Sequence, residues 1–223
     1  GVFYKNQTLF TGNYGTTNKS RSSPTPATAD TIYRIGSISK VFPAVLMFIF
    51  VESGLIKSVD DAVVKYVPSF FIPSINDNDS QNITFRHLAS HMGSVSREAP
   101  CSMANCDYHW DYMMELYKTQ AVLNGYPIGT KVRYSNSGFA LLGRALEEVW
   151  FEANKVRVSF ENLVYSHILK PLRMTNTGFA FTPDVIAKMA VGYDSSAGNP
   201  TPLYNLGWQS PAGQMYSTIN DLT

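Results

Sequence analysis

Apolar positions along the chain fall into short alternating runs and longer helical stripes. Val2-Phe3-Tyr4 and Thr8-Leu9-Phe10 flank a Lys-Asn-Gln turn. With Gly12 and Gly15 closing the segment, they predict a hairpin over residues 2–15. Thr31 to Ile35 reads as another strand, and Gly36 allows a sharp turn after it. The run from Val41 to Val51 is apolar nearly all round, which predicts a helix buried at the centre of a domain, ended by Gly54 at C′. Pro43 removes one backbone donor inside this run. The helix should bend there, or the residues before it should form a tighter first turn.

Further along, Ser58 to Asp61 caps a short helix ending at Tyr66-Val67-Pro68. Thr84 caps one through Phe85, Leu88 and Ala89, with Gly93 as its stop. Tyr108 to Lys118 is amphipathic. Ser137 opens a helix from Phe139 to about Trp150, with Leu141, Leu142, Ala145, Leu146 and Val149 on its buried face. Phe160 to Leu169 is halted before Pro171, and Thr218 to Asp221 opens a last helix. Residues 16–30 and 73–82 are polar loops, and residues 189–217 hold short strands at most.

Composition changes this picture little. The chain has 223 residues, 44% hydrophobic and 16% charged, which suits one well-buried domain. A net charge of +1 gives no electrostatic case for nucleic acid or an anionic membrane. The run from Val41 to Val51 is about half of what a bilayer-spanning helix needs, so no membrane span is expected. Cys101 and Cys106 are too few for a metal site, leaving a short disulfide loop or two thiols. Sequons at Asn6, Asn18, Asn78 and Asn82 lie in polar, turn-rich stretches. Taken with the cysteine pair, they favour a secreted or lumenal location. Helices outnumber strands, the hairpin has no later strand to pair with, and a helix opens just before the last residue. Residues 1–223 are therefore expected to be one C-terminally truncated domain.

Chemistry enters at Gly36-Ser37-Ile38-Ser39-Lys40. Positions i and i+3 share a helix face, so a hydroxyl and an amine can touch where free backbone N–H groups favour developing negative charge. That combination suits a serine nucleophile with a base in reach. In Tyr134-Ser135-Asn136, read as extended, the phenol and carboxamide would face one site. Tyr4-Lys5-Asn6 repeats the pattern in a hairpin, where a structural reading wins. His87 and His91 stand at i, i+4, but Leu88 follows His87 where a metalloprotease motif has glutamate, so helix packing is expected. Asp60 and Asp61 read as helix N-terminal charges. Met47, Met113 and Met114 read as core filler.

Six ordered phrases together resemble the serine β-lactamase and penicillin-binding-protein superfamily, on the branch of class C β-lactamases, D-alanyl-D-alanine peptidases and related esterases. They are Tyr33 to Lys40, Val59 to Pro68, Thr84 to His91, Gly129 to Gly138, Leu169 to Met174 and Pro211 to Thr218. The sequons and cysteines look most like animal β-lactamase-like members. The resemblance implies an α/β (α+β) fold, a mostly helical region packed on an antiparallel sheet, with the sheet incomplete here. It implies Ser37 as acylated nucleophile, Lys40 as proton acceptor, Tyr134 as partner base or relay, and Asn136 positioning substrate. The Ser37 N–H would be half of an oxyanion hole. Tyr204, Trp208, Gln214 and Tyr216 would either wall a cleft, with Gln214 binding substrate, or pack in loop and core. The reaction implied is hydrolysis of a small-molecule or peptide amide or ester through an acyl-enzyme, without metal or organic cofactor. A non-catalytic binding or assembly protein on the same scaffold is the alternative. The family's third motif, a Lys/His-Thr/Ser-Gly triad, is missing. Asn176-Thr177-Gly178 lacks the cation, and His91-Met92-Gly93 comes too early. The triad's place would lie beyond Thr223, so residues 1–223 alone are expected to be inactive. A Cys101–Cys106 disulfide is expected. Oligomeric state has no sequence signal.

Overall fold

The computed structural model describes residues 1–5, 7–19, 24–73, 82–101, 106, 109–120, 126–194 and 198–223. The sequons at Asn6 and Asn78, and Tyr108, lie outside them. Strands β1 (Val2–Tyr4) and β2 (Gln7–Phe10) form the antiparallel hairpin expected. β3 (Tyr33–Arg34) is shorter than expected and pairs antiparallel with β4 (Tyr216–Ser217) near the other end of the described chain.

Between the strands the chain is helical. Gly36–Lys40 is a 3₁₀ turn, and α1 (Val41–Glu52) follows it directly. This is the tighter first turn that Pro43 predicts, because Pro43 cannot donate back to the preceding turn. α1 is not buried all round. Phe42, Leu46, Met47 and Phe50 enter the core, while Val41 and Phe48 are 56% and 57% exposed. A run of apolar residues shows no preferred face, so only tertiary neighbours decide which side is covered.

α2 (Phe85–Ala89) has a full capping box: Thr84 Oγ1 accepts from His87 N, and Thr84 N donates to His87 Nδ1. Its C′ residue is His91, with φ of 62°, and not Gly93. α3 spans Trp110–Gln120. α4 runs Asn136–Asn154, three residues earlier than expected, because Ser135 and not Ser137 is the N-cap and accepts from Gly138 N. Nearly every residue from Ser137 to Val149 is buried, so α4, more than α1, is the central helix. α5 (Phe160–Val164) continues as a π-helical turn through Leu169. α6 (Pro183–Lys188), α7 (Ser210–Gly213) and α8 (Ile219–Leu222) complete the order.

The short helix α7 sits directly on α4. A Cβ at Gly143 would lie 2.5 Å from Pro211 Cγ and 2.6 Å from Pro211 Cβ, so only glycine permits this approach. Gly143→Ala should therefore cost about 1–3 kcal/mol through overpacking, read as a lower urea midpoint with an unchanged m-value. Beside this seam, Arg144 lies under α7. It donates to Glu147 at 2.7 Å, Glu161 at 3.2 Å and Ser210 Oγ at 3.1 Å, and Ser210 Oγ also bonds Glu161. The Cys101–Cys106 disulfide is present, with Cα atoms 5.1 Å apart.

Candidate active site

The 3₁₀ turn places Ser37 and Lys40 one above the other, since i and i+3 eclipse at three residues per turn. Gly36 makes the entry possible with φ of 51°. Ser37 is exposed, while Lys40 beneath it is only 8% exposed. Lys40 Nζ lies 3.2 Å from Ser37 Oγ, 2.8 Å from Asn136 Oδ1 and 2.7 Å from the Ala212 carbonyl. Its three donor directions thus have three acceptors. The Tyr134 hydroxyl lies 2.6 Å from Ser37 Oγ. Ser37 Oγ is therefore within hydrogen-bond reach of both an amine and a phenol.

Ser39, the other hydroxyl of the phrase, is fully buried and accepts from Met215 N at 3.1 Å. Together with Ile35 N bonded to Met215 O, it ties the 3₁₀ turn to the segment after α7. Tyr134 and Asn136 do not share an extended strand, as the i, i+2 reading expects. Asn136 already begins α4, so the two reach Ser37 and Lys40 from different backbone states.

Burial alone would raise the Tyr134 phenol. Hydrogen bonds involving Lys40 and Ser37, and the charges of Lys40 and Arg97, outweigh it and hold the phenol below its ordinary value. Arg97 stands 5.3 Å from the Tyr134 ring centroid, and its carbonyl accepts from Asn136 N at 2.8 Å. Glu98 Oε1 accepts from Asn136 Nδ2 at 2.8 Å, so the carboxamide is held at both ends.

His91 organises the loop before α4. Its carbonyl accepts from Arg133 N at 2.8 Å, and Nδ1 accepts from Ser135 N at 3.1 Å. Its ring stacks 4.6 Å from Tyr134 and 4.9 Å from Phe139. The left-handed backbone at His91 turns the ring back under Tyr134. Burial, then the Lys40 charge, push its pKa below the usual histidine value. The unfolded chain therefore takes up this proton first. The stabilisation is complete above about pH 6.5 and is lost as pH falls through the lowered folded value. Between pH 7.5 and 5.5, the melting temperature of wild type should fall more than that of His91→Gln.

The remaining sequence candidates separate. His87 caps α2 and His91 supports Tyr134, so the two rings serve different bonds. Asp60 pairs with Arg86, at 2.5 Å, and Asp61 with Lys65 and Tyr66. Thr177 Oγ1 bonds Ser217 Oγ and Asp221 Oδ2, which makes Asn176-Thr177-Gly178 an anchored turn. Gln214 does not reach Ser37 or Lys40 through any bond among the described residues. Its Oε1 accepts from Leu206 N at 2.9 Å and its Nε2 donates to the Phe179 carbonyl, so both ends of the amide serve the frame. Trp208 is fully buried in the core, whereas Tyr204 stays about half exposed. Asn82 is exposed, and Asn18 Oδ1 accepts from the Tyr193 hydroxyl.

Four contributors escaped the sequence. Ala212 acts through its carbonyl, which no side-chain pattern reveals. Arg97 and Glu98 sit in an irregular stretch without periodicity. For His91, the missing signal is its place one residue past Ser90, where a C′ position calls for a left-handed residue.

The β-lactamase family model matches residues 1–223. A human protein described as putative beta-lactamase-like 1 is 34% identical over 224 residues, covering 99% of this chain and 43% of that protein. Beta-lactamase-like protein 2 of Dictyostelium discoideum is 33% identical, covering 99% of this chain and 40% of that protein. This chain thus spans less than half the length of either relative. Among solved structures, a class C beta lactamase from Rhodobacter sphaeroides superposes with a TM-score of 0.72 at 25% identity, over 94% of this chain and 54% of that one. With a match along its whole length, a shared fold and a paired serine and lysine on the turn into α1, the chain belongs to the β-lactamase family.

Proposed function

We propose that the whole protein is a serine hydrolase that works through an acyl-enzyme on an amide, peptide or ester. The observation that carries this reading is the contact of Ser37 Oγ with both Lys40 Nζ at 3.2 Å and the Tyr134 hydroxyl at 2.6 Å. In the first step Lys40 acts as the neutral amine, its two N–H groups on Asn136 Oδ1 and the Ala212 carbonyl and its lone pair towards Ser37. Ser37 Oγ bonds to the substrate carbonyl carbon and its proton passes to Lys40 Nζ. Collapse of the tetrahedral adduct breaks the bond to the leaving amine or alkoxide, which takes a proton through the Tyr134 hydroxyl. Water then repeats the sequence on the acyl-enzyme and releases the acid. The two other acceptors of Nζ, an amide oxygen and a peptide carbonyl, are very weak bases, so proton traffic at Lys40 is directed to Ser37. Asn136 holds Lys40 in place and offers its carboxamide to substrate.

One observation favours a second reading. Asn136 Nδ2, the donor that would hold a substrate carbonyl, is bonded to Glu98. With one of its two N–H groups taken up by Glu98, the amide has less to offer a substrate, which suits a non-catalytic binding or assembly protein on the same scaffold. A fluorophosphonate probe on the full-length protein separates the two. Labelling that maps to Ser37 and vanishes in Ser37→Ala is expected. A folded protein that stays unlabelled at Ser37 would remove the hydrolase reading. We further propose a secreted or lumenal location. The disulfide and the exposed Asn82 sequon support it, and a peptide map showing no glycan at Asn82 and free thiols after expression in animal cells would count against it.

A further inference from the structure

A cavity of about 630 Å³ opens between β3 and residues 186–192 and 201–204, within the size range of small-molecule sites. Gly36 lines it, so its wall ends one residue before Ser37. Ile186, Met189, Val191 and Leu203 make most of the lining apolar, and no described lining residue is acidic.

Arg34 is the charge in this wall. Its guanidinium carbon stands 3.6 Å from the Tyr204 ring centroid and 5.0 Å from that of Phe181, so two rings hold its plane. Its Nη2 is enclosed and has no acceptor among the described residues. Among the described residues no carboxylate lies within ion-pair distance of it. Arg144 makes the contrast, since the fold surrounds that guanidinium with two glutamates and a serine. Burial pulls the Arg34 guanidinium below its ordinary value, the nearby Tyr204 opposes this, and an arginine stays charged regardless. The fold has therefore stiffened a planar guanidinium beside an apolar cavity and left its Nη2 without an acceptor among the described residues. Such a fork matches a carboxylate, and an apolar lining matches a hydrocarbon body.

We infer that this cavity binds an acidic small molecule, an alkyl or arylalkyl carboxylate whose carboxylate pairs with Arg34 and whose apolar body lies against Met189 and Leu203. The site goes beyond the acyl-transfer reading, because it needs no chemistry at Ser37.

The test is calorimetric titration of the full-length protein with 4-phenylbutyrate and with its uncharged partner, 4-phenylbutyramide. The acid should bind at least about tenfold more tightly than the amide, the size of one charge-assisted contact. Arg34→Met should erase that preference, and Arg34→Lys should keep part of it, since a point charge replaces a fork. Equal binding of acid and amide overturns the inference, as does a preference that survives Arg34→Met or the absence of binding by both probes. If Arg34→Met does not fold, the wild-type comparison and Arg34→Lys decide. The readout is binding, so its failure leaves probe labelling at Ser37 untouched, and the reverse also holds.

Discussion

Replacing Lys40 with methionine should slow acylation of Ser37 by about 10²–10⁴-fold, the usual contribution of a positioned proton acceptor. Methionine keeps an unbranched apolar side chain of similar length and removes the amine. In the full-length protein, the rate of fluorophosphonate labelling reads the effect directly. Nζ is the group that ties Ser37 Oγ, Asn136 Oδ1 and the Ala212 carbonyl together, so the variant also leaves two acceptors without their donor. A melting curve must accompany the rate, because lost acceptor bonds cost roughly 1–3 kcal/mol each where burial is complete. Tyr134→Phe is the matched control. It removes the 2.6 Å contact to Ser37 and the phenol's interaction with Lys40, and leaves the bonds of Nζ to Ser37, Asn136 and Ala212 in place. If Lys40→Met labels at the wild-type rate while folded, Lys40 is not the acceptor, and the phenol, already below its ordinary value, takes that role.

Arg144→Met should be the most damaging single change to stability, by about 3–5 kcal/mol, which for a chain of this size lowers the melting temperature by about 10 °C. Arg144 is almost wholly enclosed, and its two carboxylate partners sit on two different helices, Glu147 on α4 and Glu161 on α5. Burial opposes its charge, but the two glutamates more than compensate and hold its pKa above the ordinary value. Removing the guanidinium leaves both carboxylates largely enclosed without their counter-ion, Glu147 keeping the Phe160 N–H and Glu161 the Ser210 hydroxyl. The pH dependence identifies the cause. In the variant the folded state favours protonated glutamates, so their folded pKa values stand above the unfolded ones. The penalty then grows as pH rises past the ordinary carboxylate range and shrinks as pH falls. The deficit against wild type should therefore be smaller at pH 5 than at pH 8. Arg144→Met combined with Glu147→Leu and Glu161→Leu should recover much of the loss, because a packed apolar cluster carries no stranded charge. A deficit that is flat with pH would assign the loss to packing alone.

Much of the fold was legible because it is local. The hairpin, the Thr84 cap, the tight turn before Pro43 and the Gly54 stop each follow from a few adjacent residues. What could not be read depends on choices between near-equivalents or on distant neighbours. Ser135 and Ser137 are both plausible caps, and the bond from Ser135 Oγ to the Ser96 carbonyl favours the earlier one. Gly93 looks like the better helix stop, yet His91 takes the left-handed position because its ring gains Tyr134, Phe139 and Ser135 as partners. The exposed side of α1 has the same letters as its buried side. Within the candidate site, Ser37, Lys40, Tyr134 and Asn136 were legible as residue types at fixed spacings. That Gln214 bonds Leu206 and Phe179 could not be read, because an amide that faces a cleft and one that bonds the frame look alike in a string of letters.

Ser39 has a consequence for pattern searching. A search for Ser-x-x-Lys treats the position before the lysine as free. Here that position is closed on all sides and must present a small hydroxyl to Met215 N, some 176 residues away. A search that also required a small hydroxyl there would reject many accidental Ser-x-x-Lys pairs. It would also keep apart two serines that one motif places side by side: one facing solvent, and one serving as a rivet between the two ends of the chain.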